Sequence, residues 1–325
     1  MKLKSLVLGT AAALSVASMA IADRGSDGHV NIIYWQAPSI LNPYLSGGTK
    51  DVESSSMIIE PLARYNQDGE LTPWLVTEIP TVANGGVSAD LMSITWNITP
   101  GIKWSDGSAF TAHDVVFSGE YCMDPDGGCA QSNKLADVSN IEALDDLTVK
   151  VSFSVAKPFP YGPFVGAEQP IIQKAQFADC KGAKAPECTA ENFGPIGTGP
   201  FVVTDFKAND VITMEANPHY RDASKPAFAS VTFKGGGDAA AAARSVLETG
   251  EFDYAWNLQI DPTILSQMAE GGKGEVISSF GTAVERLMVN LSNPDAALGD
   301  KRSTLEGGPH PFLTDASVRR ALSVA

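Results

Sequence analysis

Residues 98–118 read Ile98-Thr99-Pro100-Gly101-Ile102-Lys103-Trp104-Ser105-Asp106-Gly107-Ser108-Ala109-Phe110-Thr111-Ala112-His113-Asp114-Val115-Val116-Phe117-Ser118. The segment leading into them, Leu91 to Ile98, alternates apolar and polar residues, the pattern of a half-buried strand. At the far end, Thr111 to Tyr121 carries Val115, Val116 and Phe117 behind an acidic first turn, the pattern of a helix. His113 stands beside Asp114 and reads as a surface or capping residue. Strand and helix within one short piece set the class as mixed α and β.

The same alternation of types continues on both sides. Val30-Asn31-Ile32-Ile33-Tyr34-Trp35 is a β-rich run ending at Pro38, Ser54 to Leu62 has helical spacing, and Gln67-Asp68-Gly69-Glu70 is a turn. Downstream, Leu147, Val149, Val151 and Phe153 alternate as a strand does. Phe201 to Val203, Val211 to Ala216 and Val231 to Phe233 are further strands. Asp238 caps a helix through Ala239 to Leu247 that stops at Gly250. Arg286 to Leu291 reads as one more strand. A helix starting at Thr314 or Asp315 runs to Ala325 with neither Gly nor Pro to stop it, which is expected of a fragment of a longer protein. No period of roughly 20–50 residues recurs, which excludes a solenoid.

The chain has 325 residues, 44% hydrophobic and 19% charged, so two or three globular domains are expected and bulk disorder is excluded. The net charge of −15 repels phosphate backbones and speaks against a nucleic-acid partner. It suits a soluble monomer. Lys2 and Lys4, an apolar Leu6–Val16 and the small-residue run Ser18-Met19-Ala20-Ile21-Ala22 form a signal peptide over residues 1–22, cut near Ala22, so a periplasmic protein is expected. Four cysteines agree with export. Cys122 and Cys129 form one close pair and Cys180 and Cys188 another, in loop-like segments, and two local disulfides are the simplest of three connectivities.

Catalytic motifs fail one by one. Gly235-Gly236-Gly237-Asp238 precedes a helix but lacks the lysine of a phosphate loop, and Gly197-Thr198-Gly199-Pro200 is no dinucleotide fingerprint. The four histidines are scattered, and the cysteine spacing is wrong for zinc, so no metal and no cofactor are expected. Asp124-Pro125-Asp126-Gly127 lacks the closing glutamate of a calcium loop and reads as a disulfide-closed turn. No nucleophile has a base beside it, so an enzyme is not expected, and a secreted hydrolase stands as the alternative class. A binding protein remains, and its informative residues are aromatics and amides at strand ends. Trp35-Gln36 closes one strand, and Trp256-Asn257-Leu258-Gln259 follows Phe252-Asp253-Tyr254.

The stretch 98–118 resembles the signature of the extracellular solute-binding proteins of the peptide/nickel class, family 5, which serve ATP-driven importers of oligopeptides and dipeptides. Further landmarks follow in order: Leu41-Asn42-Pro43, Glu60-Pro61-Leu62, Asp68-Gly69, Pro73-Trp74-Leu75, Pro195 to Phe201, Asn217-Pro218-His219-Tyr220, Gly250-Glu251-Phe252-Asp253 and Val318-Arg319-Arg320-Ala321-Leu322. His113 departs from the family's usual acidic residue, and the cysteine pairs look like local additions.

The resemblance implies an α/β, periplasmic-binding-protein-like two-lobed fold of class II with an extra domain, the second lobe mostly missing. Residues 23–61 and 196–281 would form the first lobe, 62–195 the extra domain and 282–325 the start of the second lobe. It implies capture of a peptide by hinge closure and delivery to a membrane permease; a nickel chelate, oligosaccharide or opine are the other ligands of the class. In peptide-binding relatives the acid for the peptide's amino terminus comes from the second lobe. By resemblance, the loop Ser46-Gly47-Gly48-Thr49 runs along the ligand, and Trp256, Asn257 and Gln259 match a second cleft segment.

Overall fold

A computed structural model of the chain describes residues 23–278 and 286–324. The signal-peptide reading of residues 1–22 lies outside the described residues. The chain divides into two compact units between Val276 and Ile277.

In the first unit the elements run β1 (His29–Tyr34), α1 (Thr49–Ser55), β2 (Ala63–Tyr65), β3 (Leu71–Pro73), β4 (Ser93–Asn97), α2 (Ala112–Met123), β5 (Val138–Asp145), β6 (Thr148–Phe153), the short α3 (Lys174–Phe177) and α4 (Thr189–Phe193), β7 (Phe201–Lys207), β8 (Val211–Ala216), β9 (Ser230–Gly235), α5 (Ala239–Leu247), β10 (Tyr254–Trp256) and α6 (Pro262–Ala269). Five strands form one sheet in the order β10-β1-β9-β8-β7, and three form another in the order β4-β6-β5. β1 runs parallel to both β9 and β10, so its C-terminal end opens beside theirs.

The stretch 98–118 joins the two cores. Trp104 and Phe110 are buried and meet edge to face at 5.4 Å between ring centroids. Each such ring removes roughly 150–250 Å² from water. Asp114 accepts the Thr111 N–H at 3.0 Å, closing the first turn of α2, and its other oxygen accepts the Lys174 N–H at 3.0 Å. α2 then serves two sides. Ala112 and Val115 enter the core of the three-stranded sheet, while Phe117, Tyr121 and Cys122 enter that of the five-stranded sheet. The landmark Leu41-Asn42-Pro43 is pinned there too, with the Asn42 amide donating to Asn192 at 2.9 Å and to the Tyr121 hydroxyl at 3.1 Å.

Two expectations need correction. Ser54 to Leu62 is not the helix; α1 covers Thr49–Ser55, and the carbonyls of Met57 and Ile58 accept the N–H groups of Phe201 and Gly199 instead of helical donors. Arg286 to Leu291 is not a strand. A strand needs an edge to pair with, and among the described residues of the second unit only the bridge Ser292–Pro309 forms. That unit otherwise holds two short 3₁₀ turns and α7 (Ala316–Val324).

Cys122–Cys129 and Cys180–Cys188 are disulfide-bonded, the local one of the three connectivities. Within the first loop, Asp124 accepts the Asp126 and Gly127 N–H groups, as a turn does. By restricting the unfolded chain each short loop should contribute about 2 kcal/mol. The double variant Cys122→Ser/Cys129→Ser should show that loss in urea unfolding; an unchanged midpoint would refute it.

Candidate functional site

The C-terminal ends of β1 and β10 lie side by side, with Tyr34 and Trp256 as register partners. Open α/β sheets bind ligands at such strand ends. Alternation sends Tyr34 to the face packed in the large core and Trp35 to the opposite face, against Ile33, Ala242 and Phe252. The rings of Tyr34 and Trp256 are 5.1 Å apart, and Tyr34 lies 4.6 Å from Phe233. β1 is held at this end by the glycine turn, where Gly236 N–H donates to the Tyr34 carbonyl and Asp238 caps α5 through the Ala241 N–H at 2.7 Å. Gly235–Asp238 is thus a turn and helix cap.

Two cavities flank the Tyr34–Trp256 pair. One of about 100 Å³ is lined by Tyr34, Trp35, Gln36, Gly48, Thr49, Lys50, Trp256 and Asn257. It brings together six of the nine residues singled out from the sequence: Trp35, Gln36, Gly48, Thr49, Trp256 and Asn257. Asn257 has φ +57°, in the left-handed region that asparagine tolerates better than most side chains. The other three lie outside the lining. Gly47 and Gln259 are exposed, and a Cβ on Gly47 would meet nothing within 4 Å. Ser46 shapes the loop instead: its hydroxyl donates to Asp51 at 2.7 Å and accepts the Gly48 N–H at 3.1 Å.

Asp51 anchors this loop. It is buried and accepts from the Ser39 N–H at 2.7 Å and from Lys50 Nζ at 2.9 Å. Burial opposes its charge, but the donors from Lys50, Ser39 and Ser46 outweigh that and hold its carboxyl below the usual range. Lys50 also donates to the Ser39 hydroxyl at 2.8 Å.

The second cavity, of about 360 Å³, is lined by Ile32, Tyr34, Glu53, Ser56, Met57, Phe233, Tyr254 and Trp256. The Tyr34 hydroxyl donates to Glu53. Burial, and then Glu53 itself, push the Tyr34 hydroxyl above tyrosine's usual range. Burial likewise raises the Glu53 carboxyl, against the Tyr34 hydrogen bond that lowers it. Sequence reasoning missed Tyr34, Lys50, Glu53 and Tyr254. Tyr34 and Tyr254 had a signal, each lying within two residues of a tryptophan already singled out.

The family model of the bacterial extracellular solute-binding proteins, family 5, matches residues 70–325. The chain belongs to that family. The glutathione-binding protein GsiB of Pectobacterium atrosepticum is 28% identical over 175 residues, 54% of this chain and 32% of that protein. The oligopeptide-binding protein OppA of Bacillus subtilis is 27% identical over 201 residues, 58% of this chain and 34% of that protein. Among solved structures, the periplasmic binding protein AgaA of A. tumefaciens R10 in complex with agropinic acid matches with a TM-score of 0.59 and 26% identity, over 67% of this chain and 42% of that one. The chain thus spans about a third of the length of these curated relatives. Its fold class is the α/β class of the two-lobed periplasmic binding proteins.

Proposed function

We propose that this family member is the solute-capturing component of an ABC importer, that its solutes are di- and oligopeptides, and that it delivers them to a membrane permease from the periplasm, as a monomer and without catalysis. The observation that carries the reading is the convergence of Trp35, Gln36, Gly48, Thr49, Trp256 and Asn257 on one cavity at the C-terminal ends of two parallel strands. Aromatic walls with amides and accessible main chain suit a peptide, because main-chain hydrogen bonds tolerate many side chains. Two matched relatives are named for peptide ligands, glutathione and oligopeptides. The AgaA match supports a second reading, a small organic acid in place of a peptide.

The domain assignment follows the two sheets. The five-stranded sheet draws on residues 29–34 and 201–256, in support of a first lobe from 23–61 and 196–281. The three-stranded sheet draws on residues 93–153, in support of an extra domain over 62–195; residues 282–325 would open the second lobe. Solute between two lobes would stabilise the closed form, and the permease would read that closure.

Mass spectrometry of solute carried through purification of the full-length native protein tests the reading: peptides support it, and a non-peptide acid overturns it in favour of the second. Trp256 gives a sharper check. It is half-buried and lines both cavities. Trp256→Ala should weaken binding of trialanine by about 1–3 kcal/mol with an unchanged melting temperature. Unchanged affinity with a large fall in melting temperature would make Trp256 a core residue.

A further inference from the structure

Glu53 is a half-buried carboxylate in a cavity whose other walls, Ser56 apart, are aromatic and apolar. Tyr34, Tyr254, Trp256 and Phe233 supply four rings, and Met57 and Ile32 close the sides. Phe233 and Trp256 lie tilted against the Tyr34 ring. Tyr254 is 49% exposed, so solvent and solutes reach the cavity from that side. Among the described residues the carboxylate accepts one hydrogen bond, from the Tyr34 hydroxyl, which leaves further acceptor capacity.

Among the described residues no Lys, Arg or His nitrogen forms an ion pair with Glu53; burial raises its carboxyl and the Tyr34 hydrogen bond lowers it. Its neighbours Asp51 and Lys50 are already engaged with each other. No cation of the described residues lies over the rings of Tyr34, Tyr254 or Trp256, although Arg64, Lys181 and Arg221 sit over other aromatic rings. A carboxylate among ring faces is the arrangement that attracts a desolvated cation, through Coulomb attraction and the ring quadrupoles together.

We propose that the Glu53 cavity is a cation subsite, in which Glu53 and the rings of Tyr34, Tyr254 and Trp256 hold an ammonium or guanidinium group of the captured solute. The two cavities share Tyr34 and Trp256, so a solute lying in the smaller one reaches the larger by passing the edge of that pair. The subsite makes solutes with a cationic group the preferred class. It rests on the binding reading above, but not on the solute being a peptide.

The test uses the full-length native protein and calorimetry. Ala-Lys-Ala should bind about tenfold more tightly than Ala-Met-Ala, and Glu53→Gln should bring the two affinities together. No preference for Ala-Lys-Ala in the native protein, or a preference that survives Glu53→Gln, overturns the subsite. The native comparison of Ala-Lys-Ala with Ala-Met-Ala stands on its own should the variant fail to fold. If none of these peptides binds, the peptide reading fails alone, and tetramethylammonium followed by tryptophan fluorescence decides the subsite. Saturable quenching in the native protein supports it, and a flat titration overturns it.

Discussion

Replacing Glu60 by alanine should destabilise the protein by about 3–5 kcal/mol, the cost of breaking a buried ion pair by removing one partner. Glu60 is fully buried, in the landmark Glu60-Pro61-Leu62. Its carboxylate accepts four donors: Trp74 Nε1 at 2.6 Å, the Thr198 hydroxyl at 2.9 Å, and two nitrogens of Arg221 at 2.6 and 3.3 Å. The Arg64 guanidinium lies 4.3 Å from the centre of the Trp74 ring, and that of Arg221 lies 5.0 Å away. Arg64 Nε is buried without a hydrogen-bond partner. Burial lowers the Arg64 pKa, against the pull of Glu60 that raises it. One carboxylate therefore answers two guanidinium groups. Its removal leaves two cations on one indole, together with an orphaned hydroxyl and an orphaned indole N–H. Glu60→Gln keeps an acceptor oxygen for Thr198 or Trp74 and should fall between alanine and the native protein. Urea unfolding measures the difference, and an unchanged midpoint in Glu60→Ala would show that the cluster contributes nothing net.

This cluster also shows where the sequence stops being informative. Glu60, Trp74, Thr198 and Arg221 are far apart along the chain, and nothing local announces their meeting. Strands with one wet face were legible because alternation survives in them: Thr148–Phe153 buries Val149, Val151 and Phe153, and Val211–Ala216 buries Ile212 and Met214. The helix Ala239–Leu247 was legible from its cap and its glycine stop. Val138–Asp145 was not, because none of its residues is fully buried and its strand character comes from pairing with Thr148–Phe153. Ser54 to Leu62 misled for the opposite reason. Its spacing is helical, but the carbonyls of Met57 and Ile58 are claimed by residues 199–201, and tertiary pairing overrides local preference. In the candidate site, residues at strand ends could be read from the two Trp-amide pairs. The loop 46–49 came from the family resemblance, and only Gly48 and Thr49 of it reach the cavity. Glu53 gave no sign of its place, since its contact with Tyr34 spans 19 residues.

Gly197→Ala should be the most damaging glycine-to-alanine change among the described residues, with a loss of about 3 kcal/mol or more, at or beyond the upper end of overpacking costs. The glycines of Pro195-Ile196-Gly197-Thr198-Gly199-Pro200 are not there for phosphate. An ideal Cβ on Gly197 would lie 1.8 Å from the Ile58 carbonyl oxygen, and one on Gly199 would lie 2.6 Å from the same atom. Both obstacles are backbone, so no rotamer change can make room. Nor can the backbones separate cheaply. Gly199 N–H donates to Ile58 at 2.8 Å and Phe201 N–H to Met57 at 3.1 Å. From the other side, Ser105 N–H of the stretch 98–118 donates to the Gly197 carbonyl at 2.8 Å. Thr198 between the two glycines holds Glu60. A displacement large enough to admit the methyl therefore loosens the backbone hydrogen bonds to Met57 and Ile58, the Ser105 contact and the buried carboxylate together, and these losses are coupled. Gly47→Ala is the matched control, because a Cβ there meets nothing within 4 Å and should change stability by no more than about 0.5 kcal/mol. Equal unfolding midpoints for the two variants would mean that residues 57–58 and 197–199 are not packed backbone to backbone.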